Sequence, residues 1–204
     1  MEVVLEHNRN GFFQTARMHG KLSRSEPFDI VIGSGRKGQS YLYWDKQALF
    51  QLPVSYFTPL DTWCSSPGFP TDSALFNRRV PAYCLECHST YAKTVFISKT
   101  EYGDSFDKNQ MIYGITCEKC HGPGAEHVAY YKTHPGERTG KYITNPKSLF
   151  RQQRLDLCAL CHSGRRIPLK PAFSFMVGDS LYVFSEAAYL SENASTLDVH
   201  ANQY

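Results

Sequence analysis

The feature that most constrains this chain of 204 residues is a five-residue pattern, Cys-x-x-Cys-His, which occurs three times. The copies span residues 84–88, 117–121 and 158–162. Six of the seven cysteines fall in these copies, and a histidine directly follows each pair. The chemistry of these cysteines therefore decides what the chain can fold around.

Paired cysteines at this chain length fit disulfides, zinc or haem. Zinc centres usually join two such pairs in one tetrahedral site, so three pairs leave one unmatched. A thioredoxin-like dithiol would occur once, beside a βαβ pattern that the sequence lacks. Only covalent haem attachment requires a histidine directly after each pair. The repeated pattern therefore predicts three haem c groups.

Each motif supplies two thiols for thioether bonds to the neighbouring vinyl groups of one porphyrin and one imidazole for the proximal side of the iron. The predicted thioether residues are Cys84, Cys87, Cys117, Cys120, Cys158 and Cys161. The predicted proximal iron ligands are His88, His121 and His162.

Histidines outside the motifs are candidates for the sixth, distal position of each iron. In falling order the candidates are His127, His200, His7 and His19, with His134 last. Six residues separate His127 from His121, a reach of about 20 Å when extended and much less in a helix. His127 is therefore expected to bind the iron of a neighbouring haem. Irons with two histidine ligands would be low-spin and closed to substrate.

Composition places limits on fold and partners. Apolar residues make up 42% of the chain, slightly below the usual share, so haem groups could fill part of the interior. The net charge is +3 without a long basic run, which gives no support for nucleic-acid binding. No apolar stretch is long enough for a membrane span. Two regions are predicted within one compact unit: a β-rich lead-in at residues 1–79 and a multihaem segment at residues 80–204.

Local patterns refine this picture. Alternating apolar residues and turn signals predict strands in the first half and a loop over 58–81; short helices are expected in the second half. The strands are expected at 3–7, 12–16, 28–32, 40–44 and 48–56, with Pro53 interrupting the last, and the helices at 124–133 and 148–161, with Ser148 as the cap.

Three further patterns carry no function. Residues 33–38 match the Gly-x-Gly-x-x-Gly dinucleotide pattern, but residues 39–44 read as a strand, so no helix N-terminus could hold a pyrophosphate. Asn193 begins a glycosylation sequon by pattern only. Cys64, outside the motifs, is expected to be a buried or loop thiol.

Residues 114–128 and 158–164 resemble the haem segments of bacterial multihaem c-type cytochromes related to the cytochrome c554 type. Residues 31–56 are similar to members of that family with a β-rich lead-in. The resemblance implies that His127 is a distal iron ligand and that His200 serves likewise. It also implies that related chains continue into further haem motifs, so this sequence is either a short member or part of a longer cytochrome.

The combined expectation is an α+β fold: a β-rich N-terminal part followed by short helices and loops wrapped around stacked c-type haems, with little regular core. The expected role is extracytoplasmic electron transfer rather than catalysis, in the periplasm or outside the cell, although residues 1–6 are no signal peptide. Partners would be redox proteins or further copies of the chain. Two alternatives remain: a subunit of an electron-conducting filament, and an oxidoreductase with one open haem acting on a small nitrogen or sulfur compound.

Overall fold

The computed structural model describes residues 2–97, 103–164 and 166–187. This part of the chain is rich in strands and has a few short helices, which confirms the predicted α+β class. No helix among the described residues is long and apolar enough to cross a membrane.

The secondary structure follows the chain in this order. The strands are β1 (Glu2–Asn8), β2 (Gly11–Met18), β3 (Lys21–Pro27), β4 (Ile30–Ile32), β5 (Gly38–Asp45), β6 (Ala48–Gln51), β7 (Val54–Phe57), β8 (Thr62–Ser65), β9 (Arg78–Arg79), β10 (Ser89–Phe96), β11 (Ser105–Tyr113), β12 (Arg166–Pro168) and β13 (Ser185–Ala187). The α-helices are α1 (Ala82–His88), α2 (Cys117–His121), α3 (Ala125–Thr133) and α4 (Arg151–His162). Short 3-10 helices occupy Thr58–Leu60, Pro146–Ser148 and Leu181–Val183.

The chain divides into two compact units. The first contains residues 1–82 and 93–109, and the second contains residues 83–92 and 110–204. All six motif cysteines belong to the second unit. The division predicted between residues 79 and 80 stays a prediction.

The first unit contains two antiparallel sheets. Strands β1, β2 and β3 form a meander, in which Asn8 pairs with Gly11 across the predicted turn. Gly11 has a φ of 119°, which glycine adopts without steric cost. The second sheet has the order β8-β7-β5-β6-β9, and β4 pairs with β5. Strand β5 follows the glycine-rich turn at residues 33–38, as the sequence predicted for residues 40–44.

A buried glutamine fixes the meander against the second sheet. Gln14 on β2 is fully buried, and its amide nitrogen donates to the Val54 carbonyl at 2.7 Å. Its amide oxygen accepts from the Val54 N–H at 2.9 Å. Pro53, next to Val54, interrupts the predicted strand 48–56, which is observed as β6 and β7. The glutamine thus supplies hydrogen bonds at the point where the proline breaks regular pairing.

The core of the first unit is built from aromatic and aliphatic side chains between these sheets: Ala16, Tyr41, Tyr43, Leu52 and Phe76. Tyr43 is 1% exposed, and its hydroxyl donates to the Phe76 carbonyl. Burial disfavours the charged phenolate and raises the pKa of Tyr43 from 10.0 to about 12.

The buried Tyr43 gives an expected pH dependence. Because the folded pKa lies above the unfolded one, its contribution to stability is complete below pH 10 and is lost as the pH rises through about 12. The loss amounts to about 2 kcal/mol. Urea unfolding at a series of pH values should show that Tyr43→Phe, although less stable at pH 7, declines less steeply in this window. Tyr182→Phe is the control, because Tyr182 is 75% exposed. An equally steep decline in Tyr43→Phe and the wild type would contradict this assignment.

The second unit contains the four α-helices, apart from the first residue of α1, and fewer buried apolar residues. Its described core members are Leu85, Ala92, Phe175 and Leu181. The segment after α4 packs back on that helix: the buried Asp156 accepts from the Leu181 N–H at 3.2 Å, and the Gln153 amide donates to the Gly178 carbonyl at 2.6 Å. A ring contact between Phe175 and Phe184 completes this small core.

Several local predictions are wrong. The helix predicted from Ser148 begins at Arg151 with Phe150 as its N-cap, because Ser148 ends a 3-10 turn started by Asn145 and Pro146. The predicted loop 58–81 contains β8 and β9, and Cys64 lies exposed on β8 rather than in a loop or core. Strands β3, β10 and β11 were not predicted, since their residues are mostly exposed and polar and carry little apolar alternation.

Candidate functional site

Each Cys-x-x-Cys-His motif ends a helix. The motif histidines His88, His121 and His162 are the last residues of α1, α2 and α4. In a helix, positions i, i+3 and i+4 lie on one face, so both thiols and the imidazole of each motif share a face. The same local geometry thus occurs three times, which is what attachment of three similar groups requires.

The first and third motifs touch. The Cys87 thiol donates to the Leu160 carbonyl at 3.4 Å and hydrogen-bonds the sulfur of Cys161. The hydrogen bond to Cys161 and burial both raise the pKa of Cys87. The same hydrogen bond lowers the pKa of Cys161, whose sulfur accepts it. Among the described residues, no motif cysteine forms a disulfide bond, so each sulfur can still bond to carbon.

The second motif joins the same cluster through charge. Glu86, between the cysteines of the first motif, accepts from the Phe173 N–H. Lys119, between those of the second motif, places its ammonium 5.0 Å from the Phe173 ring centre. Burial raises the pKa of Glu86 and lowers that of Lys119, while their mutual attraction opposes both shifts. Residues that lie between the two cysteines of a motif thus help to hold the motifs together.

Thr90 fixes the start of the second motif helix against the end of the first. Its hydroxyl donates to the Gly114 carbonyl at 2.8 Å and accepts from the Thr116 N–H at 2.7 Å. Thr116 is the N-cap of α2, and Ser89 forms a bridge with Gly114. Helices α1 and α2 are therefore positioned by backbone contacts as well as by the contacts that Glu86 and Lys119 make with Phe173.

The imidazole of His121 is oriented for ligation. Its Nδ1 lies 2.8 Å from the Thr144 carbonyl, so Nδ1 carries the proton and donates. The lone pair is then on Nε2, the nitrogen available to a metal. A cavity of about 400 Å³ borders His121 and is also lined by Tyr142 and Met176.

His127, on α3, has the same kind of support. Its Nδ1 lies 2.7 Å from the Lys141 carbonyl, which likewise leaves the Nε2 lone pair free. The His127 and Tyr131 rings lie 4.7 Å apart, and the Tyr131 ring lies 5.4 Å from that of Tyr130. One loop, residues 141–144, thus orients imidazoles on both α2 and α3.

The other candidate distal ligands differ in their surroundings. His7 is exposed on β1 and stacks on Phe12 at 4.3 Å, and His19 is exposed in the turn after β2, both in the first unit. His134 stacks on Tyr130 at 4.1 Å, and its Nδ1 contacts the Tyr130 carbonyl at 3.0 Å. His200 and the Asn193 sequon lie outside the described residues. The distal assignments stay predictions.

The second unit fits large flat apolar groups. Few of its described apolar residues are buried, while many are at least half exposed, including Tyr113, Ile115, Val128, Tyr142, Phe150 and Tyr182. A unit of this kind gains little stability from its own core and leaves apolar surface to be covered. Thiol pairs outside disulfide bonds, the Nε2 lone pairs of His121 and His127, and uncovered apolar side chains together match what haem c needs.

Sequence reasoning missed the groups that orient the site. The carbonyls of Lys141 and Thr144 carry no residue signature, because any residue supplies the same backbone oxygen. Phe173 adopts a φ of 64°, rare for a bulky residue, and this too is invisible in the sequence. The charged residues at the x positions of the motifs, Glu86 and Lys119, were the one sequence signal that pointed to contacts between the motifs.

Comparison with known proteins supports this interpretation. Residues 72–122 match the family described as cytochrome c554 and c-prime. No curated protein matches the chain. Among solved structures, the outer cell wall cytochrome OcwA has a similar fold, with a TM-score of 0.50 and 18% identity over 76% of this chain and 32% of OcwA. The chain spans about a third of the length of that cytochrome. Through residues 72–122, which include the first two Cys-x-x-Cys-His motifs, the chain is similar to the c-type cytochromes of the cytochrome c554 type.

Proposed function

We propose that the chain transfers electrons through three covalently bound haem c groups. Each group would be held by one motif: Cys84, Cys87 and His88; Cys117, Cys120 and His121; Cys158, Cys161 and His162. The observation that carries the proposal is the presence of all three motif helices in one unit, with Cys87 against Cys161 and with Glu86 and Lys119 both in contact with Phe173.

Haem iron supplies the redox change, and the protein supplies position and electrostatics. Thr144 holds the protonated Nδ1 of His121, so that Nε2 faces away with its lone pair. Lys141 does the same for His127, which we assign as a distal ligand. Two fixed imidazoles on separate helices require little rearrangement when an electron arrives or leaves.

The contact between motifs suits transfer within the chain. Attachment of one group at Cys87 and another at Cys161 would place their linked edges close together, because the two sulfurs are hydrogen-bonded when free. The half-buried Glu86 and Lys119 put opposite charges near the motifs, where reduced contact with water strengthens their effect on potentials.

We further propose an extracytoplasmic location, with redox proteins or other copies of the chain as partners. The family relationship and the outer cell wall cytochrome with a similar fold support this location. Contacts with electron-transfer partners are typically small and transient.

Haem stoichiometry tests the proposal. We expect a pyridine haemochrome assay and the intact mass of the exported protein to give three covalent haems per chain, with low-spin spectra. A mass without haem, or zinc in its place, would refute the proposal. Two covalent haems would restrict it to two of the motifs.

A further inference from the structure

Outside the haem motifs, the first unit contains a cavity of about 380 Å³ bordered by Arg79, Lys46, Phe50 and Ser105. Arg79 lies on the short strand β9, and its Nε is buried and has no hydrogen-bond partner among the described residues. Buried polar groups in native proteins almost always have partners, so an unpaired one indicates a water or an ion that completes the site.

The other donors of Arg79 are poorly satisfied as well. Its Nη2 lies 3.4 Å from both the Asp104 carbonyl and the Ser105 hydroxyl, beyond the usual range of about 2.7–3.2 Å. The ion pairs of the described residues are Arg17–Glu6 and Arg24–Glu26, and neither includes Arg79. A guanidinium therefore borders a cavity with most of its hydrogen-bonding capacity unused.

The surrounding chain holds Arg79 in place. Strand pairing places Arg79 opposite Phe50, and its guanidinium carbon lies 5.8 Å from the Phe50 ring centre. Gly103, with a φ of 81°, approaches so closely that an added Cβ would come within 2.6 Å of the Arg79 Cβ. A side chain fixed in this way loses little entropy when it binds a partner.

Charge and geometry define that partner. Asp45 and Lys46 also border the cavity with opposite charges, so Arg79 gives its lining a net positive charge. The planar guanidinium fork matches two oxygens of a carboxylate or phosphate, and the Ser105 hydroxyl offers a further donor. We propose that this site, the Arg79 cavity, binds a small oxyanion, a carboxylate or a phosphate. We assign the oxyanion as a soluble anion, so the proposal needs nothing from the haem assignment.

A titration of the reduced holoprotein tests binding of a soluble anion. Inorganic phosphate is added at constant ionic strength, and the arginine Nε–H signals are followed by NMR. We expect one signal to shift and saturate, and phosphate to bind Arg79→Gln about tenfold more weakly or worse. Arg79→Lys, which keeps the charge and loses the fork, should also bind weakly and serves if Arg79→Gln fails to fold. Arg78→Gln is the matched control, because the Arg78 guanidinium donates to the Pro67 carbonyl.

The proposal is wrong if phosphate shifts no arginine Nε–H signal, or if Arg79→Gln binds phosphate as tightly as the wild type does. It is also wrong if Arg78→Gln, rather than Arg79→Gln, loses phosphate binding, because the site would then lie away from the cavity.

Discussion

Substitution of His127 by alanine should convert one haem from low-spin to high-spin and open its iron to cyanide. His127 donates from Nδ1 to the Lys141 carbonyl at 2.7 Å, which directs its Nε2 lone pair toward a ligand position. Removal of a distal imidazole leaves a five-coordinate iron. About one third of the haem absorbance should change, because one of three groups is affected. Optical and electron paramagnetic resonance spectra with and without cyanide measure this change.

His134→Ala is the matched control. His134 directly follows helix α3, and its Nδ1 also contacts a backbone carbonyl, that of Tyr130 at 3.0 Å. Its ring, however, stacks on Tyr130 at 4.1 Å with an interplanar angle of 4°. We expect its removal to leave the spin state unchanged. High-spin haem in His134→Ala and none in His127→Ala would exchange the two roles and contradict our assignment.

Replacement of Cys158 and Cys161 by serine should reduce the covalent haem content from three to two. Both thiols lie on α4, one turn apart, and serine cannot form the thioether bonds. The second unit should also lose stability, since a group bound only by the native state stabilises it. Haemochrome absorbance, intact mass and thermal unfolding of the purified protein measure these effects.

Cys64→Ser serves as the control for thiol loss. Cys64 lies exposed on β8 in the first unit, and its sulfur makes only a 3.6 Å contact with the Ser55 carbonyl among the described hydrogen bonds. This variant should keep all three haems. Full haem content after loss of Cys158 and Cys161 would show that the third motif carries no haem, and loss of haem from Cys64→Ser would show an attachment site outside the motifs.

Local elements were predictable where a strong local signal acts alone. The turn from Asn8 to Gly11 and helix α3 were both predicted, because turn residues and helical spacing act over a few positions. The start of α4 was misplaced, because Pro146 and the Asn145 side chain favour a 3-10 turn before the helix. Strands β10 and β11 depend on each other for pairing, and their exposed polar residues gave no periodic signal.

The chemistry of the site was determined by the sequence itself. Two thiols three residues apart followed by an imidazole predict covalent haem attachment, because the vinyl groups of the porphyrin set that spacing. The grouping of the site was decided only by the tertiary structure. Nothing in the spacing of the motifs brings Cys87 to Cys161, or the carbonyls of Lys141 and Thr144 to His127 and His121. Such contacts depend on chain reversals and on backbone atoms that every residue shares, so only folding of the whole unit selects them.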